Sequence, residues 1–329
     1  MAELSHNHCG SVYLAEQMIR LAAESGADAV KMQKRGTSTY AGLRGAGEAE
    51  YAALRESREL TPDEYKYLVD KAHGYGVLFA ATVFDPESLD ALADVDLDIV
   101  KIASGDCVNL PLLRYVAGLG KPLLVSTGGC EMADVIAAFD TLRDAGAQFA
   151  LLHCTSEYPV RTDRINLNVI RWLRWAFPEV VAGFSSHVHR VDGHTYEAIA
   201  YALGARIIER HFTITPGIDT GEHAFGVTPL ELAQMCDALR VLPSALGTGA
   251  KYVQAGEEAG IKRLGKHLVW ANSLKAGDVV MPADLLVMGG GVGVAPNRMS
   301  EIVGATLSRS VQVGEDVEAA DVEALCQTA

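Results

Sequence analysis

No run of apolar residues in this 329-residue chain approaches the ~18–20 that a membrane-spanning helix needs. No signal-peptide pattern opens it. Its six cysteines, at positions 9, 107, 130, 154, 236 and 326, form no CxxC and keep no regular spacing. That pattern predicts reduced thiols in a cytoplasmic protein. Positive charge is scarce: 28 Lys and Arg stand against 42 Asp and Glu, a formal net charge of −14. A uniformly acidic surface repels nucleic acid and anionic membranes, so neither is an expected partner. No GxGxxG follows any strand-like run, which argues against an open doubly wound sheet. There is no internal repeat and no low-complexity tail.

The 49% apolar and 21% charged residues are an ordinary globular balance. The length suffices for one barrel of about 250 residues plus a small second domain. Short β-rich runs alternate with helical patterns, the signature of βα units around a parallel sheet. Eight strands are expected at 2–4, 29–33, 77–83, 99–103, 122–126, 149–154, 180–184 and 206–212. Helices are expected between them, and a last one at 229–242 is expected to stop at Pro243. The fold class is therefore α/β, a (β/α)8 TIM barrel over 1–246. Residues 247–266 are rich in Gly, Lys and Glu and read as a linker. Residues 267–329 read as a separate small β-rich domain.

Catalytic groups of such barrels sit at the C-terminal strand ends and in the loops after them. Lys31 and Lys101 lie inside otherwise apolar strands, where an unpaired ammonium is costly. Two such lysines facing one barrel mouth call for an anion between them, and the hydroxyls of Ser104, Ser126 and Thr127 add donors. A phosphate or carboxylate would satisfy the set, and phosphoenolpyruvate carries both. His187 and His211 end neighbouring strands and suit a divalent metal such as Mn2+ or Fe2+. Glu3 is a candidate base. Cys154 reads as packing, while His6, His8 and His189 read equally well as ligands or as orienting groups.

These strand-end motifs resemble the sialic acid synthase family of nonulosonic acid synthases, over nearly the whole chain. AELSHNHCGS at 2–11 is similar to the family's AEIGxNHxGS, and GADAVKMQ at 26–33 to its GADAVKFQ. KIASGD at 101–106, STG at 126–128, LLHCTSEYP at 151–159 and IERHFT at 208–213 continue the likeness. The tail from His267 to Gly304 resembles the family's antifreeze-like (SAF) domain. The resemblance implies C–O cleavage of phosphoenolpyruvate and its condensation with a sugar aldehyde to a 2-keto-3-deoxy sugar acid and phosphate. It implies that His187 and His211 hold a divalent metal, Mn2+ first, with Mg2+ as another candidate. Lys31, Lys101, Ser104, Ser126 and Ser185 would bind phosphoenolpyruvate. Glu3, Lys101 and Asp106 would be catalytic; Gln33, Ser156, Tyr158, Asp106 and Glu222 would serve the sugar side. A homodimer exchanged through the SAF domain is implied as well.

The chain departs from the family pattern mainly on the sugar side. Ser186 stands for the usual Asp of the SDH motif, Asp106 for a Glu and Glu222 for an Asp. In MGGGVG at 288–293, Gly289 stands for a sugar-contacting Arg, with Arg298 nearby as a candidate replacement. An acceptor other than N-acetylmannosamine is therefore expected. Two other classes are weighed. An amidohydrolase-type metal hydrolase would use His6, His8 and Lys101. A homologue that binds a sugar acid without turnover would account for Ser186 and Gly289.

Overall fold

In the computed structural model, which describes residues 1–36, 48–217 and 221–322, eight parallel strands close into a barrel in sequence order. They are β1 Ala2–Ser5, β2 Ala29–Lys34, β3 Leu78–Val83, β4 Ile99–Ile102, β5 Leu123–Ser126, β6 Phe149–Cys154, β7 Val181–Ser186 and β8 Ile207–His211. Closure is made by β1 pairing with β8 as well as β2. Helices α1 Val12–Glu24, α3 Pro62–Gly74, α4 Pro86–Ala91, α5 Leu110–Ala117, α6 Met132–Asp144, α7 Asn168–Ala176, α8 Thr195–Ala202 and α9 Pro229–Leu246 cover the strands. A further helix, α2 Glu48–Glu56, precedes α3 in the connection after β2 and breaks the βα rhythm.

Local sequence explains the boundaries. Thr61 caps α3 and Thr228 caps α9, each in a capping box with a Glu at N3 and a Pro in the first turn. Such boxes satisfy the amide groups a helix start leaves open. Pro243 does not stop α9 as the sequence suggests. The helix runs on to Leu246 and ends at Gly247, whose φ of +61° favours glycine and whose amide donates to the Pro243 carbonyl. Proline's own φ is helical, and so close to the exposed end its missing amide costs little.

Strand parity decides which polar residues enter the barrel. On β7 and β8, Ser185, Glu209 and His211 point inward, whereas Ser186 and Arg210 point outward to the helices. The buried Arg210 guanidinium donates to Ser186 Oγ at 2.8 Å and lies 3.4 Å from the buried Glu197 of α8. Ser186 therefore belongs to a structural ion-pair network outside the barrel, not to the sugar side where the motif comparison places it.

The chain divides into two compact units, 1–247 and 248–329. The second carries α10 Glu258–Leu264, inside the stretch read as a linker, and an antiparallel pair, β9 Lys266–Trp270 and β10 Leu285–Gly289. Its remaining β pairings are single bridges rather than strands. Gly277, Gly290, Gly304 and Gly314, all at positive φ, turn the chain after a few residues each time. Leu268, Trp270, Val280, Leu285, Ile302 and Val311 form its core, and Trp270 Nε1 donates to Asp321. The five described cysteines are free, and Cys326 lies outside the described residues.

Removing one partner of the Arg210–Glu197 pair leaves a buried charge uncompensated. Glu197→Ala is expected to cost about 3–5 kcal/mol, seen calorimetrically as a Tm lower by roughly 10 °C. The double variant Glu197→Leu/Arg210→Met should recover most of that loss. A single variant as stable as the parent would contradict the pairing.

Candidate active site

The inward residues of the strand ends line a cavity of about 450 Å3. All the expected site residues line it except Asp106, Ser156 and Thr127, whose Oγ1 donates to the Leu152 carbonyl at 3.2 Å. The Asp106 carboxylate accepts from Asn109 Nδ2 at 3.1 Å in the turn after β4, and Ser156 is exposed. Ser156 still has a packing role. A side chain at Gly128 would meet Ser156 Oγ at 2.5 Å and Ser104 Oγ at 2.8 Å, so the loop after β5 closes tightly only with glycine there. The Gly128 amide donates to Ser104 Oγ at 3.1 Å.

At the bottom of the cavity four charged groups are buried together. Lys31 Nζ is ion-paired with Glu3 and donates to Thr82 Oγ1 at 2.6 Å. Glu209 lies 3.6 Å from Lys31 and 3.9 Å from Lys101. The anion that the two lysines demand is thus supplied in part by the protein. Burial would pull Lys31 down, but Glu209 and Glu3 outweigh it and leave its pKa raised. Lys101 differs: burial dominates, Glu209 opposes it only in part, Lys31 adds repulsion, and the pKa is lowered. Lys101 Nζ bonds otherwise to neutral oxygens, Ser126 Oγ at 2.6 Å and the Ile102 carbonyl at 2.9 Å. Burial works against charge on Glu209, yet Lys31 and Lys101 bring it below its ordinary value.

The upper cavity is aromatic and imidazole-lined. The His187 and His211 rings are 5.3 Å apart between centroids, with Tyr158 over His187 at 4.0 Å and Phe225 against His211 at 4.8 Å. His187 Nδ1 is tied to the Thr155 carbonyl at 2.8 Å, and Cys154 Sγ lies 3.9 Å from its Nε2. Donor atoms of Glu3, His211 and Glu222 lie within 4.8 Å of one another. This set of imidazole and carboxylate donors fits a divalent cation.

Sequence reasoning passed over three contributors. Glu209 was visible at a strand end but was given no role. Arg35, stacked 3.6 Å over Phe84, and Arg55 both donate to Gln33 Oε1, at 2.9 and 3.1 Å, while Gln33 Nε2 donates to Glu3 at 2.8 Å. Arg55 comes from α2 and carried no strand-end signal. Conversely, His6, His8, His153 and His189 do not line the cavity. His6 meets Glu59 at 3.2 Å and Arg55 at 3.0 Å, His153 meets the Ile165 carbonyl at 2.7 Å, and His189 caps a turn. The hydrolase reading, which needs His6 and His8 beside Lys101, has no geometry to stand on.

The NeuB family model matches residues 18–251. The chain belongs to the NeuB family. Over 328 residues it is 31% identical to the N,N'-diacetyllegionaminic acid synthase of Campylobacter jejuni, covering 96% of this chain and 97% of that one. It is 29% identical to human N-acetylneuraminate-9-phosphate synthase, covering 96% and 90%. Among solved structures, a putative spore coat polysaccharide biosynthesis protein E from Chromobacterium violaceum superposes with a TM-score of 0.84 at 26% identity, over 98% of each chain. This NeuB-family member is a sialic acid synthase-like enzyme.

Two buried imidazoles, one in the site and one outside it, impose a pH dependence on the NeuB-family barrel. Burial, then the neighbouring His211, brings His187 down to about 3. Burial, then His6, does the same to the buried His8. Unfolded, both protonate near 6.5, so between those values the unfolded chain binds more protons and stability falls as pH falls. For EDTA-treated protein the pair should remove about 4 kcal/mol between pH 7 and pH 5. Denaturant titrations at the two pH values check this; equal midpoints would mean that the imidazoles are accessible to protons in the folded state.

Proposed function

We propose that this enzyme condenses phosphoenolpyruvate with a sugar aldehyde, releasing phosphate by C–O cleavage and leaving a 2-keto-3-deoxy sugar acid. The observation that carries the reading is Lys101. It is a buried ammonium whose closest partners are neutral oxygens, set beside Ser104, Ser126 and Ser185 in one cavity. Charge-assisted bonds from Lys101 and these hydroxyls suit a phosphate, and Lys31 stands one strand pair away for the carboxylate. The synthase names of the relatives support both substrates.

In this reading C3 of phosphoenolpyruvate forms the new bond to the aldehyde carbon, and the aldehyde oxygen takes up a proton. Water adds at C2, and phosphate leaves with the bridging oxygen. Glu3, buried next to Lys31 and fixed by Gln33, is placed to take the proton that the water loses. Tyr158 and Phe225, with ring centroids 5.6 Å apart, would wall the acceptor side. His187 and His211 would hold a divalent cation, Mn2+ in our reading, which supplies positive charge to polarise the aldehyde oxygen. The acceptor differs from N-acetylmannosamine in this reading, because Glu222, which stands for the family's Asp, lines the cavity and Gly289 stands for a sugar-contacting Arg. Arg298 is committed to Glu301, at 3.0 and 2.7 Å, which argues against its replacing the Arg missing at Gly289. The reading also carries a cytoplasmic homodimer exchanged through an antifreeze-like C-terminal unit, with light scattering as its check.

With phosphoenolpyruvate, Mn2+ and a panel of aldoses, phosphate release should appear with at least one acceptor. Oxygen-18 in the bridging position should emerge in phosphate; its retention in the keto acid would reject C–O cleavage. Lys101→Ala should abolish phosphoenolpyruvate binding in calorimetry while the circular dichroism is unchanged. Silence with every aldose while phosphoenolpyruvate still binds would overturn the synthase reading.

A further inference from the structure

We propose that Glu222 is itself a ligand of the divalent cation of this site, and that Arg55 is the positioning residue that aims it. The inference rests on the metal-dependent reading above and extends it. Sequence comparison assigns Glu222 to the sugar, as a longer counterpart of an Asp. The structure places its two oxygens differently. Oε1 accepts from Arg55 Nη2 at 2.9 Å. Oε2 is turned to His211 Nδ1, 3.2 Å away.

Oε2 and Nδ1 are both buried and face each other at ion-pair distance, yet among the described residues neither meets a partner in good hydrogen-bond geometry. This separates two arrangements. A carboxylate that merely orients a ligating histidine accepts that ring's N–H along its axis. His187 shows such an arrangement, with Nδ1 on the Thr155 carbonyl. His211 Nδ1 and Glu222 Oε2 stand 3.2 Å apart outside hydrogen-bond geometry, a spacing suited to two donors that share one ion. The buried Glu3 brings a third atom to the same point, all within 4.8 Å. The extra methylene of Glu over Asp supplies the reach.

Arg55 fixes this carboxylate from behind. Its guanidinium also bonds Gln33 Oε1 and His6 Nδ1, so it joins the loop after β8 to those after β1 and β2. One Glu222 oxygen is thereby occupied and the other is left for the ion. Carboxylate oxygens added to imidazoles favour harder ions such as Mn2+ over Zn2+, relative to imidazoles alone.

The test uses the full chain stripped with EDTA and titrated with Mn2+ alone, free Mn2+ being read by electron paramagnetic resonance, and in parallel with Zn2+. Glu222→Gln should weaken Mn2+ binding by at least the roughly 10–100-fold that losing an orienting partner costs a metal site, and Zn2+ binding clearly less. Glu222→Asp should fall between wild type and Glu222→Gln for Mn2+, and Arg55→Met should weaken Mn2+ in the same sense. Circular dichroism confirms folding, and Arg55→Met carries the test if Glu222→Gln does not fold. Unchanged Mn2+ affinity in Glu222→Gln, with loss in His187→Ala, would overturn the inference and leave the metal reading standing. An equal loss for Mn2+ and Zn2+ would place Glu222 behind His211 and overturn it too. No Mn2+ binding by the wild-type chain would remove the metal reading itself.

Discussion

Two ammonium groups and two carboxylates buried at the mouth of a barrel must neutralise one another, and the arrangement of Lys31, Lys101, Glu3 and Glu209 is set by that demand. Breaking such a set costs about 3–5 kcal/mol per orphaned charge, so the strands that carry it cannot slip. A shift of one residue would exchange Glu209 for Arg210 inside the barrel and turn His211 outward. The four charges sum to zero. An arriving phosphoenolpyruvate is therefore not balanced by them, and its negative charge calls for further positive groups; Arg35 and Arg55 line the same cavity. Lys101 is the lysine with the weaker carboxylate support, which is why the proposed reading gives it the phosphate.

Much of the fold was legible because strands buried on both faces must be apolar throughout. Leu123–Ser126 and Phe149–Cys154 announce themselves in that way, and the polar residues at their ends mark the site. Composition could not show parity. Ser185, Ser186 and His187 read as one polar cluster, yet Ser186 faces Arg210 and Glu197 in the helix layer. Glu209 was hidden for a related reason: its partners are on β2 and β4, across the barrel, and no local pattern links them. Arg55 was hidden because α2 belongs to no βα repeat. Asp106 had the right motif but turns to Asn109.

The substitutions that set this chain apart now divide. Ser186 concerns stability alone. Glu222 concerns the cavity itself, which it lines together with Arg35 and Arg55. In the proposed reading the donor half is built on the strands, and much of the acceptor half on their connecting segments.

That division bears on how such a barrel changes over evolutionary time. Arg55 stands on a helix inserted between β2 and α3, outside the eight repeating units that the core requires. Mutations there can retune what the cavity accepts without being filtered by barrel folding, whereas mutations at Lys31 or Glu209 meet that filter first. Lineages sharing this scaffold can thus drift in acceptor range while the chemistry of the donor stays fixed, because novelty and integrity are under separate selection in one chain.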